Sequence, residues 1–211
     1  MTHQRNKTGH RPVPPLGNAR LLSRRPLLTG LAAGLALCAL PALAHEGIGP
    51  VRPPVEVPDI SVVSSDGYRG ALHGLLLGRV TAVQLMFTQC KSICPIEAAT
   101  FVRTQEALAS YPAHGIQLLS LSIDPLTDTP DVLTAWLEGL DARPGWLAAA
   151  SKKDDLTRTR TFFDGASSFG EDHSTAMSLI NRAGQLVWRT SELPAPNDVA
   201  KLLTQLQGRS A

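Results

Sequence analysis

Two short apolar segments constrain the fold of this chain more than any other feature. Residues 80–87 read VTAVQLMF and residues 116–123 read IQLLSLSI. Apolar runs of this length, rich in aliphatic residues, are typical of strands that are buried on both faces of a sheet. A segment with helical periodicity, residues 95–110, lies between them. A strand, a helix and a second strand in this order favour a parallel pair, so the chain is predicted to be an α/β protein.

The remaining segments extend this unit into a mixed sheet with helices on both faces. A tight turn at Asp66-Gly67 joins two short segments, which predicts an N-terminal β-hairpin. Thr129-Pro130-Asp131 has the composition of a helix start, with Thr129 as N-cap. The other predicted elements are the hairpin strands 60–63 and 68–72, the strands 146–150, 176–180 and 185–188, and the helices 153–163 and 197–207. One domain is therefore expected over residues 59–211, after an extended, proline-rich lead-in at 45–58.

The first 44 residues are predicted to be a signal peptide. They contain six basic residues and no acidic residue, and an apolar run follows Arg24-Arg25 and ends at Ala42-Leu43-Ala44. A basic segment, an apolar segment and an A-x-A end are typical of secretory signals. Ser23 before the arginine pair makes it resemble a twin-arginine signal, and a general secretory signal is the alternative. Cleavage after Ala44 would leave His45 as the first residue of a periplasmic protein.

An uncleaved membrane anchor is the alternative for the same leader. Residues 26–44 are 19 in number, close to the span of about 20 that a bilayer requires. An anchored chain would keep its domain near a membrane. The segment is rich in Ala and Gly and is interrupted by Pro41, so we favour cleavage.

The charge balance argues against nucleic-acid binding. Of the 20 basic residues, six lie in the leader, which leaves 14 basic against 18 acidic residues in 45–211. Nucleic-acid-binding domains present a basic surface. The domain has an excess of acid, so no nucleic-acid partner is expected.

Two cysteines remain after the leader, because Cys38 lies within it. Cys90 and Cys94 are four positions apart. A disulfide that closes so short a loop contributes little stability, since its entropic gain grows with loop length. The pair is therefore interpreted as a redox pair or a metal-binding pair.

The segment around these cysteines connects a buried strand to the start of a helix. Pro95 suits the first helical position, which would place Cys94 near the N-cap and Glu97 in the first turn. The helix dipole and the charge of Lys91 predict that both thiols ionise more readily than a free cysteine. Side chains at i and i+4 are close enough for either a disulfide across a flexible turn or a shared metal ion.

Three ordered motifs of this chain resemble those of the Sco/SenC family. They are Phe87-Thr88-x-Cys90-x-x-x-Cys94-Pro95, the pair Ser122-Ile123-Asp124-Pro125 and Asp128-Thr129-Pro130, and Asp172-His173-Ser174-Thr175. The resemblance implies a thioredoxin-like fold that binds copper, as Cu(I) or Cu(II), through Cys90, Cys94 and His173. It also implies delivery of copper to the subunit of cytochrome c oxidase that carries the CuA centre. Lys91 departs from the family pattern, which usually has proline there.

The ligand types agree with such a site. Thiolate and imidazole ligands suit Cu(I), Cu(II) or Zn, and an exported cysteine pair needs a third donor such as His173. Asp124, at the end of a central strand, is predicted either to support the metal ligands or to be a turn residue. The amine and imidazole of His45 would form an incidental copper site, and His73 and His114 are predicted to be solvated.

Three functions remain open from the sequence. The first is a copper metallochaperone. The second is a thiol–disulfide oxidoreductase that acts on the cysteines of a copper-site partner, and the third is a thioredoxin-superfamily peroxidase with Cys90 as its reactive thiol. The periplasm is kept oxidising, so the default state of Cys90 and Cys94 there is a disulfide, and a periplasmic thiol reductant is an expected partner.

Overall fold

The computed structural model describes residues 48–164 and 174–209. Its strands are β1 (Gly49–Glu56), β2 (Ser61–Ser64), β3 (Arg69–Ala71), β4 (Val80–Met86), β5 (Ile116–Ser122), β6 (Trp146–Ser151), β7 (Ser178–Ile180) and β8 (Gln185–Arg189). Its α-helices are α1 (Leu72–Leu76), α2 (Cys94–Leu108), α3 (Pro130–Glu138), α4 (Leu156–Asp164) and α5 (Pro196–Arg209), with a short 3-10 turn at Lys153–Asp155. The leader lies outside the described residues.

All eight strands form one mixed sheet in the order β1-β8-β7-β4-β5-β6-β2-β3. The central strands β4, β5 and β6 are parallel, and the other neighbouring pairs are antiparallel. The mixed α/β sheet predicted from the two apolar segments is thereby confirmed. Because β4, β5 and β6 run in one direction, the segments that follow them lie at one edge of the sheet, which we call the cysteine edge. The edge at which these three strands begin is called the opposite edge.

The proline-rich lead-in belongs to the sheet. The sequence predicted only an extended segment at 45–58, whereas residues 49–56 form β1 and pair with β8. Their pairing is irregular between Pro50 and Val55. Prolines lack the N–H that a central strand needs, and an edge strand tolerates them because one side faces no partner. The sheet therefore begins ten residues earlier than the predicted domain.

The predicted N-terminal hairpin corresponds to β2 and β3, which pair antiparallel. These strands do not stand apart, because β2 also pairs with β6 and continues the sheet. The short helix α1, which follows directly, was not predicted. Five residues are too few to show a helical repeat in a sequence.

The helices cover both faces of the sheet, as the sequence predicted. Val83 and Leu85 of β4 pack on the face that carries α1 and α4, whereas Ala82 packs on the face that carries α2 and α5. Leu133 of α3 lies on that second face, with Met86 and Cys94. Burial of every residue of β4 and β5 explains why most of their side chains are apolar on both faces. Within the described residues, none of the helices has the length and apolar character needed to cross a bilayer.

Candidate metal and thiol site

The cysteine pair lies at the cysteine edge, between the end of β4 and the first residue of α2. The helix begins at Cys94, with Ile93 as its N-cap residue in a helical conformation and Pro95 in the first turn. The sequence predicted Cys94 near the N-cap and the first helical position at Pro95, so the helix starts one residue earlier. Cys94 is therefore part of the first turn and points into the packed interior with 4% of its surface exposed.

The sulfur of Cys90 lies within hydrogen-bonding distance of Cys94. The backbone amide of Cys94 donates to Sγ of Cys90 at 3.4 Å. The hydroxyl of Ser92 lies 3.6 Å from the same sulfur. Cys90 is partly exposed and Cys94 is buried, and no disulfide joins them in this structure. The predicted proximity of the pair is present, with one sulfur facing outwards and the other inwards.

Burial and hydrogen bonding separate the acidities of the two thiols. Burial alone would raise the pKa of Cys90, but hydrogen bonds from the thiol and amide of Cys94 and from Ser92 outweigh it and lower that pKa to about 7. Burial raises the pKa of Cys94 to about 12, aided by its hydrogen bond to Cys90 and by the negative charges of Cys90 and Glu97. The expectation that both thiols ionise easily was right for Cys90 and wrong for Cys94. The Cys90 thiolate is stabilised by hydrogen-bond donors, and one of these donors is the Cys94 thiol. Cys94 must keep its proton in order to donate, so its pKa is raised.

The buried carboxylate of Asp128 fixes the loop that leads to Cys90. Its oxygens accept hydrogen bonds from the hydroxyl of Thr88 at 2.5 Å, from the amide of Thr88 at 3.1 Å and from the hydroxyl of Ser122 at 2.5 Å. Asp128 is 2% exposed. The carboxylate thus ties the ends of β4 and β5 together beside the cysteines. The sequence placed Asp128 in a family motif but assigned no role to it.

Asp124 is a turn residue in this structure. Its amide donates to the hydroxyl of Ser122 at 3.0 Å, and its carbonyl accepts from the amides of Thr127 and Asp128. Its side chain makes no hydrogen bond or ion pair within the described residues. The alternative role of Asp124, as support for the metal ligands, stays a prediction.

Glu97 is a buried acid one helical turn after Cys94. It is 1% exposed. Burial raises its pKa to about 8, and the negative charges of Cys90, Glu192 and Asp164 add to that effect. The sequence predicted Glu97 only as a first-turn residue. Its high pKa could not be seen from the sequence, because Asp164 and Glu192, whose charges contribute to it, are distant along the chain.

Two carboxylates hold the chain immediately after His173. Ser174 donates through its amide to Asp164 at 3.1 Å and through its hydroxyl to Glu192 at 2.7 Å. Glu192 also accepts from the amide of Thr175 at 2.6 Å and from the hydroxyl of Thr175. Burial would raise the pKa of Glu192, but these hydrogen bonds outweigh it and lower that pKa. His173 itself lies outside the described residues, as does His45.

Within residues 48–164 and 174–209, no group of three or more His, Cys, Asp or Glu side chains is arranged to hold a metal ion. Among the described residues, the site therefore offers the two sulfur atoms of Cys90 and Cys94 as candidate ligands. Of the two histidines that were predicted to be solvated, His114 is exposed as expected. His73 is instead half-buried, and its Nε2 donates to the carbonyl of Ala183 at 3.3 Å.

The fold and the site define a class of protein: a thioredoxin-like domain with a cysteine pair at the start of the helix that follows a central strand. The model of the SCO1/SenC family matches residues 66–207. This chain belongs to the SCO1/SenC family. No curated protein matches it.

Solved structures agree with this fold. The structure of Arabidopsis thaliana ScoI with copper bound has 18% identity and a TM-score of 0.60, over 77% of this chain and 99% of that one. Yeast Sco1 with copper bound has 20% identity and a TM-score of 0.60, over 75% and 91% of the two chains. BsSco, described with a disulfide switch and as a member of the Sco family of cytochrome c oxidase assembly proteins, has 20% identity and a TM-score of 0.62, over 75% and 95%. The predicted thioredoxin-like fold is confirmed.

Proposed function

We propose that this protein is an exported copper metallochaperone that binds one copper ion through Cys90, Cys94 and His173. It would deliver the ion to the cytochrome c oxidase subunit that carries CuA. The observation that carries this proposal is the contact between the amide of Cys94 and Sγ of Cys90 at 3.4 Å, on a partly exposed sheet edge. Two adjacent sulfurs are a ligand set that favours copper. The copper-bound yeast and Arabidopsis family members support the same cargo.

The thiol acidities indicate how copper would enter. Thiolates, not thiols, bind the metal, so binding releases the protons that the sulfurs carry. With a pKa of about 7, Cys90 supplies a thiolate at neutral pH. Cys94, with a pKa of about 12, gives up its proton only when copper replaces it. Cys90 is therefore the first ligand and Cys94 the second.

The anchoring of Ser174 and Thr175 supports His173 as the third ligand. Their carboxylate partners Asp164 and Glu192 are the acids whose charges act on Glu97. Glu97 is in turn within electrostatic reach of both cysteines. The chain that follows His173 is thus attached to the same acidic cluster that adjoins the cysteine pair.

Exposed apolar side chains at the cysteine edge favour transfer to a docked protein. Ile96, in the first turn of α2, is 52% exposed, and Leu126, after β5, is 76% exposed. Contiguous exposed apolar patches mark partner surfaces, and Ile96 and Leu126 would be part of such a patch. A partner that covers them would bring its own copper ligands to the partly exposed Cys90.

Copper titration of the reduced protein tests the metal site. We expect one tightly bound copper, lost in Cys90→Ser/Cys94→Ser and much weakened in His173→Ala. His114→Ala is the matched control, since His114 lies at the opposite edge, and its copper affinity should equal that of the wild type. Unchanged binding in the cysteine double variant would exclude this site and direct attention to His45.

Thiol–disulfide exchange is a second candidate, favoured by the unequal pKa values of the two thiols. The Cys90 thiolate would attack a disulfide of a partner, forming a mixed disulfide and releasing one partner thiolate. Cys94, after losing its proton, would then attack Sγ of Cys90, which yields the Cys90–Cys94 disulfide and the second partner thiol. A periplasmic dithiol reductant would restore the pair. The disulfide switch of BsSco supports this chemistry.

One variant separates the two functions. His173→Ala should remove most of the copper affinity and leave the rate of disulfide reduction unchanged. Oxidised protein should bind copper weakly, because the same sulfurs cannot be both a disulfide and two thiolate ligands. Equal copper affinity of the oxidised and reduced forms would show that the cysteines are not copper ligands.

A peroxidase would require an arginine that activates Cys90. The hydrogen bonds that lower the pKa of Cys90 come from Cys94 and Ser92, and no described arginine is among these groups.

The proposed site of action is the periplasm. The leader supports this location through its basic segment, its apolar run and the Ala42-Leu43-Ala44 end. N-terminal sequencing of the exported protein should give His45 as the first residue. Recovery of only the full-length chain in the membrane fraction would instead favour the anchor. Replacing Arg24-Arg25 with two lysines should block export if the twin-arginine route is used.

A further inference from the structure

The opposite edge of the sheet gathers basic side chains from separate segments. Arg79 precedes β4, Arg182 lies in the turn between β7 and β8, and His73 lies in α1. The amide of Gly78 donates to the carbonyl of Arg182 at 2.9 Å. His73 is joined to the same turn through the carbonyl of Ala183, at 3.3 Å. Hydrogen bonds of the neighbouring residues Gly78 and Ala183 therefore bring together the three segments that carry Arg79, Arg182 and His73.

Arg182 is held against the backbone of a third segment. Its Nη2 lies 3.4 Å from the point that a Cβ atom on Gly115 would occupy, and Gly115 has φ of +81°. Glycine alone suits both this conformation and this close approach. Nε of Arg182 is buried and has no hydrogen-bond partner among the described residues. The guanidinium is thus positioned by packing rather than by a carboxylate.

Arg79 is positioned by a neutral group. Its Nη1 donates to Oε1 of Gln117 at 2.9 Å. Glu56, an acid at the same edge, accepts from the side-chain amide of Gln185 instead of from an arginine. The ion pairs of the described residues join Arg103 to Glu106, Arg158 to Asp155 and Arg160 to Asp164. Neither Arg79 nor Arg182 is in an ion pair with a described acidic residue, although residues 45–211 contain more acidic than basic residues.

We propose that Arg79 and Arg182, with His73 and His114 beside them, form a binding site for a phosphate-type oxyanion. Guanidinium groups bind phosphate through two parallel N–H···O bonds, and a positioned guanidinium loses less entropy in doing so. His114 directly precedes Gly115, the residue that lies beside the Arg182 guanidinium. The oxyanion comes either from free phosphate or from a phospholipid headgroup. In both cases it binds at the opposite edge and leaves the cysteine edge accessible.

Phosphate titration of the full chain, followed by NMR at constant ionic strength, tests this site. Inorganic phosphate should shift the amide signals of Gly115 and Gly184 in a saturable manner. The dissociation constant should rise about tenfold or more in Arg79→Gln/Arg182→Gln, because the charge-assisted bonds are lost. Arg103→Gln/Arg158→Gln is the matched control with the same net charge and leader, and its dissociation constant should equal that of the wild type. Equal weakening in both double variants, or no saturable shift, would overturn the site.

Sedimentation with phosphatidylglycerol vesicles distinguishes the two sources. Vesicle binding that falls in the Arg79/Arg182 variant but not in the control identifies a headgroup. Saturable phosphate binding without such a difference identifies the free ion, and either result supports the site. Arg79→Lys/Arg182→Lys keeps the charge and replaces the glutamine variant if that variant does not fold. It should bind phosphate several-fold more weakly than the wild type, and wild-type affinity in it would overturn the role of the guanidinium fork.

Discussion

The two edges of the sheet use charge in different ways. At the cysteine edge, Cys94, Glu97 and Asp128 are buried, and burial raises the pKa values of the first two to about 12 and about 8. At the opposite edge, Arg79 and Arg182 are held by neutral neighbours and pair with no acid within the described residues.

This difference shows what burial adds to a charged group. A buried group is costly to ionise, so its protonation state becomes dependent on its neighbours and on pH. An arginine remains charged in either setting and acts through position alone. Proton-coupled chemistry is therefore expected at the cysteine edge, and electrostatic binding at the opposite edge.

The largest expected effect is the pH dependence of Cu(I) affinity. It measures how far burial separates the pKa values of the two thiols. Below about pH 7 binding displaces a proton from each sulfur, and also from the imidazole of His173 where that group is protonated, so the affinity should rise at least about 100-fold per pH unit. Above pH 7 Cys90 is already a thiolate, and the rise should fall to about tenfold per unit. Competition with a Cu(I) chelator from pH 5.5 to 8.5 measures both slopes. Glu97→Gln controls for the titration of Glu97, and a constant slope through pH 8 would contradict the low pKa of Cys90.

Alkylation rates test the difference in pKa between Cys90 and Cys94 directly. At pH 7 about half of Cys90 is thiolate, whereas Cys94 is almost entirely protonated. Iodoacetamide should therefore modify Cys90 at least about 100-fold faster in the reduced, copper-free protein. Mass spectrometry of peptides from samples quenched over time gives the two rates. Similar rates would show that the two sulfurs share one environment.

Replacement of Asp128 tests the buried polar clamp. Asp128→Asn keeps the shape but converts one acceptor oxygen into a donor group, so at least one of the bonds from Thr88 and Ser122 is lost. We expect the free energy of unfolding to fall by about 2–4 kcal/mol. Urea unfolding measures this change. Asp131→Asn, in the exposed first turn of α3, is the control and should lose under about 1 kcal/mol; equal losses would show that Asp128 is not a clamp.

The smallest expected effect concerns Glu97 and stability. Its pKa is raised in the folded state, so its unfolded form loses a proton from about pH 4.5 while its folded form keeps it until about pH 8. The free energy of unfolding should therefore fall as the pH rises through this window. Glu97→Gln should remove that part of the decline and be more stable by about 1–3 kcal/mol at pH 8. Urea unfolding of the reduced, copper-free protein at pH 5 and pH 8 tests this, with exposed Glu106→Gln as the control expected to follow the wild type.

The sequence by itself determined the central unit and its chemistry. The apolar runs of β4 and β5, the proline after Cys94 and the Thr129 N-cap are local signals, because they reflect the conformational preferences of adjacent residues. Thr129 indeed accepts from the amide of Val132 at 3.4 Å. The position of Cys90 and Cys94 between a strand and a helix followed from the same signals.

Tertiary structure decided what those residues can do. The pairing of β1 with β8 joins segments more than 120 positions apart, and the prolines of β1 conceal a strand in any local pattern. The inequality of the two thiols and the high pKa of Glu97 arise from burial by several segments, and Asp128 reaches Thr88 across 40 positions. Such effects depend on which distant groups share a desolvated space. That arrangement exists only after the chain has folded, so no local sequence signal carries it.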